Sequence, residues 1–227
     1  MFFTKTDILI YVLEIPAILF ALTIHEFSHG FIAYKLGDPT AKNMGRLTLN
    51  PLKHIEPIGF GMMIIVGFGW ARPVPINSRY FKKPRRDMAL TAAAGPVANL
   101  LLAFVSMILL NFVGLIRTVE NSTWYYIVYA LYMFLYILAE LNVVLAIFNL
   151  IPIPPLDGSK ILFMFLPAKW YYSLMKYERY ITIGFFVVFL VFGRLARYLG
   201  IPSVLGIVSG WVMNGMQSLL SLIPIFR

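Results

Sequence analysis

The chain has no cysteine, only three histidines and few charges: 13% of its 227 residues are Asp, Glu, Lys or Arg. Without cysteine, disulfides and thiolate metal ligands are excluded. The scarcity of charge excludes a soluble domain, whose surface must stay largely polar. Hydrophobic residues make up 60% of the chain, and its mean hydropathy is +0.80. Lipid is therefore the expected solvent. A net charge of +9 could suit nucleic acid. Here the basic residues gather in loops beside apolar runs, a pattern of membrane topology, and no nucleic-acid partner is expected. Internal repeats and low-complexity segments are absent as well, so residues 1–227 read as one integral membrane domain.

A helix needs about 20 apolar residues to cross a bilayer. Ile8 to Leu36 qualifies, as do Met88 to Ile116 and Tyr125 to Ile151. Tyr180 to Gly193 is short and spans if it begins near Tyr177; Ile201 to Ile223 is a fifth run. Ile161 to Met175, interrupted by Pro167 and Lys169, reads as interfacial. The first run is too long for the apolar part of a cleavable signal and lacks a small-residue cleavage site, so it is expected to stay as an anchor. Gly59 to Trp70 is apolar but too short to span and carries four glycines. Irregular backbone at membrane depth survives only against protein or a water-filled cavity, so this stretch reads as a re-entrant strand or hairpin.

The fold expected is an all-α polytopic bundle of about five to six transmembrane helices. It includes a three-helix catalytic core and a small membrane-associated β element from roughly Gly45 to Asn77. The core covers about residues 8–160, with additional C-terminal spans over about 177–223. Ten Lys and Arg residues lie between the first two spans, from Lys35 to Arg86. By the excess of basic residues in cytoplasmic loops, the N-terminus is expected outside and this loop in the cytoplasm of a multi-pass cell-membrane protein. Arg194 and Arg197 fall on the wrong side in this scheme, which makes the fourth span its weakest element.

Within the first span stands His25-Glu26-Phe27-Ser28-His29. On a helix, positions i and i+4 share a face, so both imidazoles can bind one zinc ion. Zinc with three protein ligands keeps a position for water and lowers its pKa towards ~7. Glu26, about 100° round the helix, can act as general base. Polar residues satisfied inside a bundle are the plainer reading. Against it, two of the three histidines fall at metal spacing around a glutamate, at a depth where an ionisable group costs about 2.5 kcal/mol or more. A third ligand is required, and His54, Glu56, Glu140 and Asp157 are candidates by residue type. The first and third spans run the same way, which favours Asp157 in the proline-broken run Asn149 to Gly158. Glu56 is its rival, since downstream glutamates complete many H-E-x-x-H sites.

Several motifs in order resemble the site-2 protease family of intramembrane zinc metalloproteases, peptidase family M50. They are His25-Glu26-x-x-His29, Leu156-Asp157-Gly158 with Asn149 eight residues before Asp157, Gly95-Pro96-Val97-Ala98-Asn99, Asn50 to Pro57, and Gly69 to Pro75. The match runs from about Ile24 to Lys160 and is similar to compact prokaryotic members without a PDZ or CBS domain. The resemblance implies Asp157 as third ligand in place of Glu56, one zinc ion per chain, and membrane-embedded strands over Gly59 to Pro75. It also implies hydrolysis of peptide bonds in or near transmembrane segments of membrane-protein substrates, as in regulated intramembrane proteolysis. The active site would lie towards the cytoplasmic side. Asn149 is a candidate hydrogen-bond donor to the oxyanion or substrate, and His54 a candidate at the entrance. Gly95 and Asn99 read as close packing of the second span. Two readings from other classes are a membrane metal transporter and a catalytically silent relative that binds membrane proteins. A transporter needs ligands spread along a path, and the intact Glu26 argues against a silent relative.

Overall fold

Lipid offers no partners to backbone N–H and C=O groups, so apolar runs of spanning length must close their hydrogen bonds as helices. The computed structural model of the chain describes residues 5–66 and 69–226. The first long helix, α1, covers Lys5–Lys35. It ends where the Gly37 N–H reaches the Tyr34 carbonyl (3.1 Å) and the Asp38 N–H the Ala33 carbonyl (2.9 Å). A single turn, α2 (Thr40–Asn43), and a 3-10 turn, Pro51–Lys53, lead to α3 (Pro57–Val66). Then come α4 (Pro84–Gly114), α5 (Thr123–Asn149), the short α6 (Asp157–Phe163), α7 (Ala168–Tyr198) and α8 (Val204–Leu220).

Among the described residues, four stretches are long and apolar enough to cross a membrane: Leu9–Lys35, Pro84–Gly114, Thr123–Asn149 and Leu174–Ala196. The protein is an all-α polytopic membrane protein. The expected fifth span appears as α8, apolar but only 17 residues long. The expected interfacial stretch Ile161 to Met175 is divided between the end of α6 and the start of α7, with Pro167 between them.

The small β element is not found. Among the described residues there is no strand; a lone antiparallel bridge joins Ile55 and Ala71. Pro57–Val66 is a helix, while Gly67 and Phe68 lie outside the described residues. The reason is local: the Glu56 carboxylate accepts the Gly59 N–H and so caps the start of α3, and the residues that follow close their own helical bonds instead of awaiting a sheet partner. The segment still folds back on itself, since the Arg72 N–H donates to the His54 carbonyl at 2.8 Å. It is a hairpin built from a helix and a return stretch that pairs back at Ala71 and Arg72.

Helices α1, α4 and α5 pack against one another, α6 packs on α4, and α8 lies against α5 and α4. The buried positions between them are mostly small: Ala17, Ala21, Ala92, Ala103, Ala139 and Ala146. Lipid tails are as apolar as leucine, so helices in a membrane gain by close approach, which small residues permit. Among these alanines sit Thr91, Asn99 and Asn142, each fully buried. Helix α7 meets the bundle where Phe185 and Phe189 stand 6.0 and 5.2 Å from the Phe148 ring.

Candidate metal centre

The parallel course of α1 and α5, with α4 running between them in the opposite direction, brings three chain segments to one depth. His25 and His29 project from the last third of α1. Asp157 opens α6, delivered there by the turn that follows α5. Gly158 permits that turn to close, because a Cβ on it would lie 2.3 Å from the Leu150 carbonyl oxygen. Gly95 of α4 faces the imidazoles, and a Cβ there would come within 2.6 Å of both rings. Its place is the space that the two side chains occupy.

His25 Nε2 and His29 Nε2 are 3.0 Å apart, and Asp157 Oδ2 stands 3.1 Å from the first and 3.0 Å from the second. All three residues are buried. Two donors bound about 2.0–2.1 Å from one tetrahedral zinc ion are separated by about 3.3 Å, so a triangle of this size suits a single ion. The other ring nitrogens fix the protons. His29 Nδ1 lies 2.7 Å from the Thr91 carbonyl, which can only accept, so the proton sits on Nδ1. His25 Nδ1 lies 2.6 Å from Asn99 Oδ1. The Asn99 amide nitrogen faces two acceptors, Asn142 Oδ1 at 2.6 Å and the Ala21 carbonyl at 3.2 Å, so its oxygen must face the imidazole. In the neutral rings both Nε2 atoms therefore present lone pairs to each other and to a carboxylate oxygen. Such convergence calls for a cation.

Burial alone would push the Asp157 carboxyl up. Its contacts with His25 and His29, and the Lys160 ammonium, hold it well below the usual carboxylate range. Lys160 Nζ is 3.1 Å from Asp157 Oδ1. Glu26 is also buried, and its Oε2 accepts the Val74 N–H at 2.8 Å. Val74 belongs to an extended stretch that Asp38 and Arg46 also hold. Asp38 Oδ2 accepts the Asn77 N–H at 2.6 Å, and Arg46 donates to the Arg72 carbonyl at 2.7 Å.

Among the described residues, the metal-ligating atoms that gather are those of His25, His29 and Asp157. Glu56 instead caps α3. His54 is buried in the hairpin, donating from Nε2 to the Thr48 carbonyl at 2.8 Å. Asn149 donates to the Leu145 carbonyl, 2.9 Å away on its own helix. Sequence reasoning passed over Asn142 and Thr91 and assigned Asn99 to helix packing. The available signal for Asn142 was an amide in the middle of an apolar span, which in lipid needs a partner.

The sequence pattern of peptidase family M50 fits residues 14–192. The chain belongs to peptidase family M50. It is a membrane metalloprotease. One relative is the "Putative zinc metalloprotease YwhC" of Bacillus subtilis, 44% identical over 172 residues, which are 74% of this chain and 76% of that one. The "Putative zinc metalloprotease Rip2" of Mycobacterium tuberculosis is 30% identical over 188 residues, 80% of this chain and 68% of the relative. A third relative, the "Putative zinc metalloprotease MJ0611" of Methanocaldococcus jannaschii, is 28% identical over 156 residues, 69% of this chain and 72% of its own. No solved structure matches the chain.

Proposed function

We propose that the chain is an intramembrane zinc endopeptidase that cuts peptide bonds in or beside transmembrane segments of other membrane proteins, as regulated intramembrane proteolysis requires. His25, His29 and Asp157 would hold one zinc ion per chain, with Glu26 as general base. The observation that carries this reading is the meeting of two imidazole lone pairs and a carboxylate oxygen within 3.0–3.1 Å of each other. A second carboxylate, Glu26, follows the first of these ligands on the same helix.

A bound zinc ion supplies Lewis acidity towards the scissile carbonyl and makes water a stronger acid. The remaining work belongs to the chain. Asn99 and Thr91 keep the imidazole protons on Nδ1, so that both Nε2 atoms stay available as ligands. Glu26 takes a proton from the attacking water on its carboxylate and passes it to the leaving amide nitrogen as the C–N bond breaks. The Val74 N–H holds Oε2 of that carboxylate in place. A helical substrate ties up its carbonyls in i to i−4 bonds and must open before attack. The extended stretch over Val74-Pro75-Ile76, beside Glu26, offers the opened backbone a parallel course. For Asn149 the proposed part is a hydrogen bond to substrate from its second N–H, the first being held by the Leu145 carbonyl. For His54 it is to brace the hairpin beside the site. Residues 8–160 form the catalytic core of a single domain, and 177–223 add C-terminal spans. In this reading, which the basic loops support, the N-terminus lies outside the cell membrane and the active site towards the cytoplasm.

Purified protein assayed for zinc and for cleavage of a model transmembrane substrate tests this reading. Glu26→Gln should keep about one zinc per chain and lose nearly all cleavage. Asp157→Ala should lose zinc, while Glu56→Ala should retain it. Wild-type turnover in Glu26→Gln would sink the mechanism; loss of zinc from Glu56→Ala, but not from Asp157→Ala, would overturn the ligand set.

A further inference from the structure

Away from the metal centre, α4, α5 and α8 line a half-open cavity of about 530 Å³, with Tyr136, Glu140 and Asn214 exposed at its walls. Its walls follow the helical repeat. On α5, Tyr132, Tyr136 and Glu140 recur every fourth residue and so share one face. Asn111 faces them from α4, and Asn214 and Gln217 from α8. Asn142, two residues beyond Glu140, turns the other way towards Asn99, so the cavity and the metal centre lie on different sides of α5.

The polar groups of this cavity are unequally used. Asn111 and Gln217 exchange hydrogen bonds at 3.1 and 3.0 Å, which clamps α4 to α8 and fixes the walls. Gln217 has a second N–H to give, and Asn214 and the two tyrosine hydroxyls make no hydrogen bond among the described residues. Glu140 has no cation partner there either. The charge that it does interact with is another carboxylate, Glu14 of α1. An ionisable side chain inside a span is costly and calls for a partner. The cavity offers one carboxylate for a cation, several neutral donors for an anion and apolar walls between them. No Lys or Arg lines it.

We propose that this cavity binds the headgroup of a phosphoethanolamine lipid. The primary ammonium would pair with Glu140 while its phosphate accepts from Asn214, Gln217 and the tyrosine hydroxyls. A zwitterion fits both halves of the lining. A phosphatidylglycerol headgroup lacks the ammonium and brings a net negative charge towards Glu140, and a choline headgroup has no N–H to donate to the carboxylate.

The test transfers the protein from nanodiscs of equal phosphatidylethanolamine, phosphatidylcholine and phosphatidylglycerol into detergent and counts the retained lipids by native mass spectrometry. Wild type should keep about one phosphatidylethanolamine per chain, favoured about tenfold over the other two lipids, the ratio expected from one charge-assisted contact. Glu140→Gln should abolish the preference. Gly210→Phe fills the cavity from α8, where a Cβ meets nothing within 4 Å, and should expel the lipid. Zinc content on the same samples reports an intact fold. Equal retention of the three lipids by wild type, a preference for phosphatidylglycerol, or an unchanged preference in both folded variants would overturn the proposal. So would saturable binding of a lysine-bearing transmembrane peptide that phosphatidylethanolamine does not displace.

Discussion

A metal ligand is only as good as the groups behind it, and for His25, in the proposed zinc site, those groups form a chain of amides. Asn99 accepts from His25 Nδ1, donates to Asn142 Oδ1, and Asn142 in turn donates to the Leu138 carbonyl at 2.7 Å. Each amide has a fixed orientation because each nitrogen faces an acceptor. The series sets both the tautomer and the angle of the ring, and outer partners of this kind are worth 10–100-fold in metal affinity by order of magnitude. Asn99→Ala is therefore expected to weaken zinc binding by about 10- to 100-fold in competition with a chelator. Asn99→Asp, which keeps an oxygen facing Nδ1, should lose less. Wild-type affinity in Asn99→Ala would show that the ring holds its position without the amide. At Gly95 the constraint is steric: a methyl group there would take the volume of the two imidazoles.

The element that orients Glu26 is an extended stretch with three anchors, and it belongs to no sheet. Arg46 holds the carbonyl of Arg72, Glu26 the N–H of Val74, and Asp38 the N–H of Asn77. Asp38 is buried at the end of α1 and also accepts the Thr40 N–H at 2.9 Å, so it joins α1 to this stretch. Hydrogen bonds to charged groups are worth about 1.5–3 kcal/mol. Asp38→Ala should loosen the stretch and lower cleavage by roughly tenfold or more. It should leave zinc content unchanged, since Asp38 touches none of the three ligands. Loss of zinc together with activity would mean that Asp38 supports α1 as a whole instead of the stretch alone. That the segment from Gly59 to Trp70 doubles back is legible in outline from its glycines and its length. Its helical first half is not, because an apolar run of ten residues between glycines is compatible with either period, and the Glu56 cap decides.

At the scale of the whole molecule, the absence of cysteine becomes a tool. A single introduced thiol is the only one in the chain, so membrane-impermeant maleimide reads topology without background. If the basic loops lie in the cytoplasm, a cysteine at Asn121 should react in intact cells and one at Lys82 only after the inner face is opened. Both positions are exposed. The reverse pattern would invert the proposed orientation and put the active site on the outer side. Helix α7 carries Arg194 on the side that the charge pattern does not favour, and it contacts the bundle through Phe148. Its packing owes little to buried small residues, unlike the mutual contacts of α1, α4 and α5.

The sequence by itself determined the solvent, the three principal helices and the H-E-x-x-H pair. Apolar length and the i, i+4 repeat are local properties that no later packing can alter. It also narrowed the third ligand to a few carboxylates and one histidine, and the resemblance to a family pointed to Asp157 among them. Only the tertiary structure brought Asp157 Oδ2 to within 3.1 Å of both imidazoles. Only there did Asn142 and Thr91 acquire their tasks, Glu56 become a helix cap and the expected strand become α3. The reason is that these roles depend on which helix faces which across more than 40 residues of chain: His25 meets Asn99 at a separation of 74 and Asp157 at 132. Spacing along the chain carries no record of such distances.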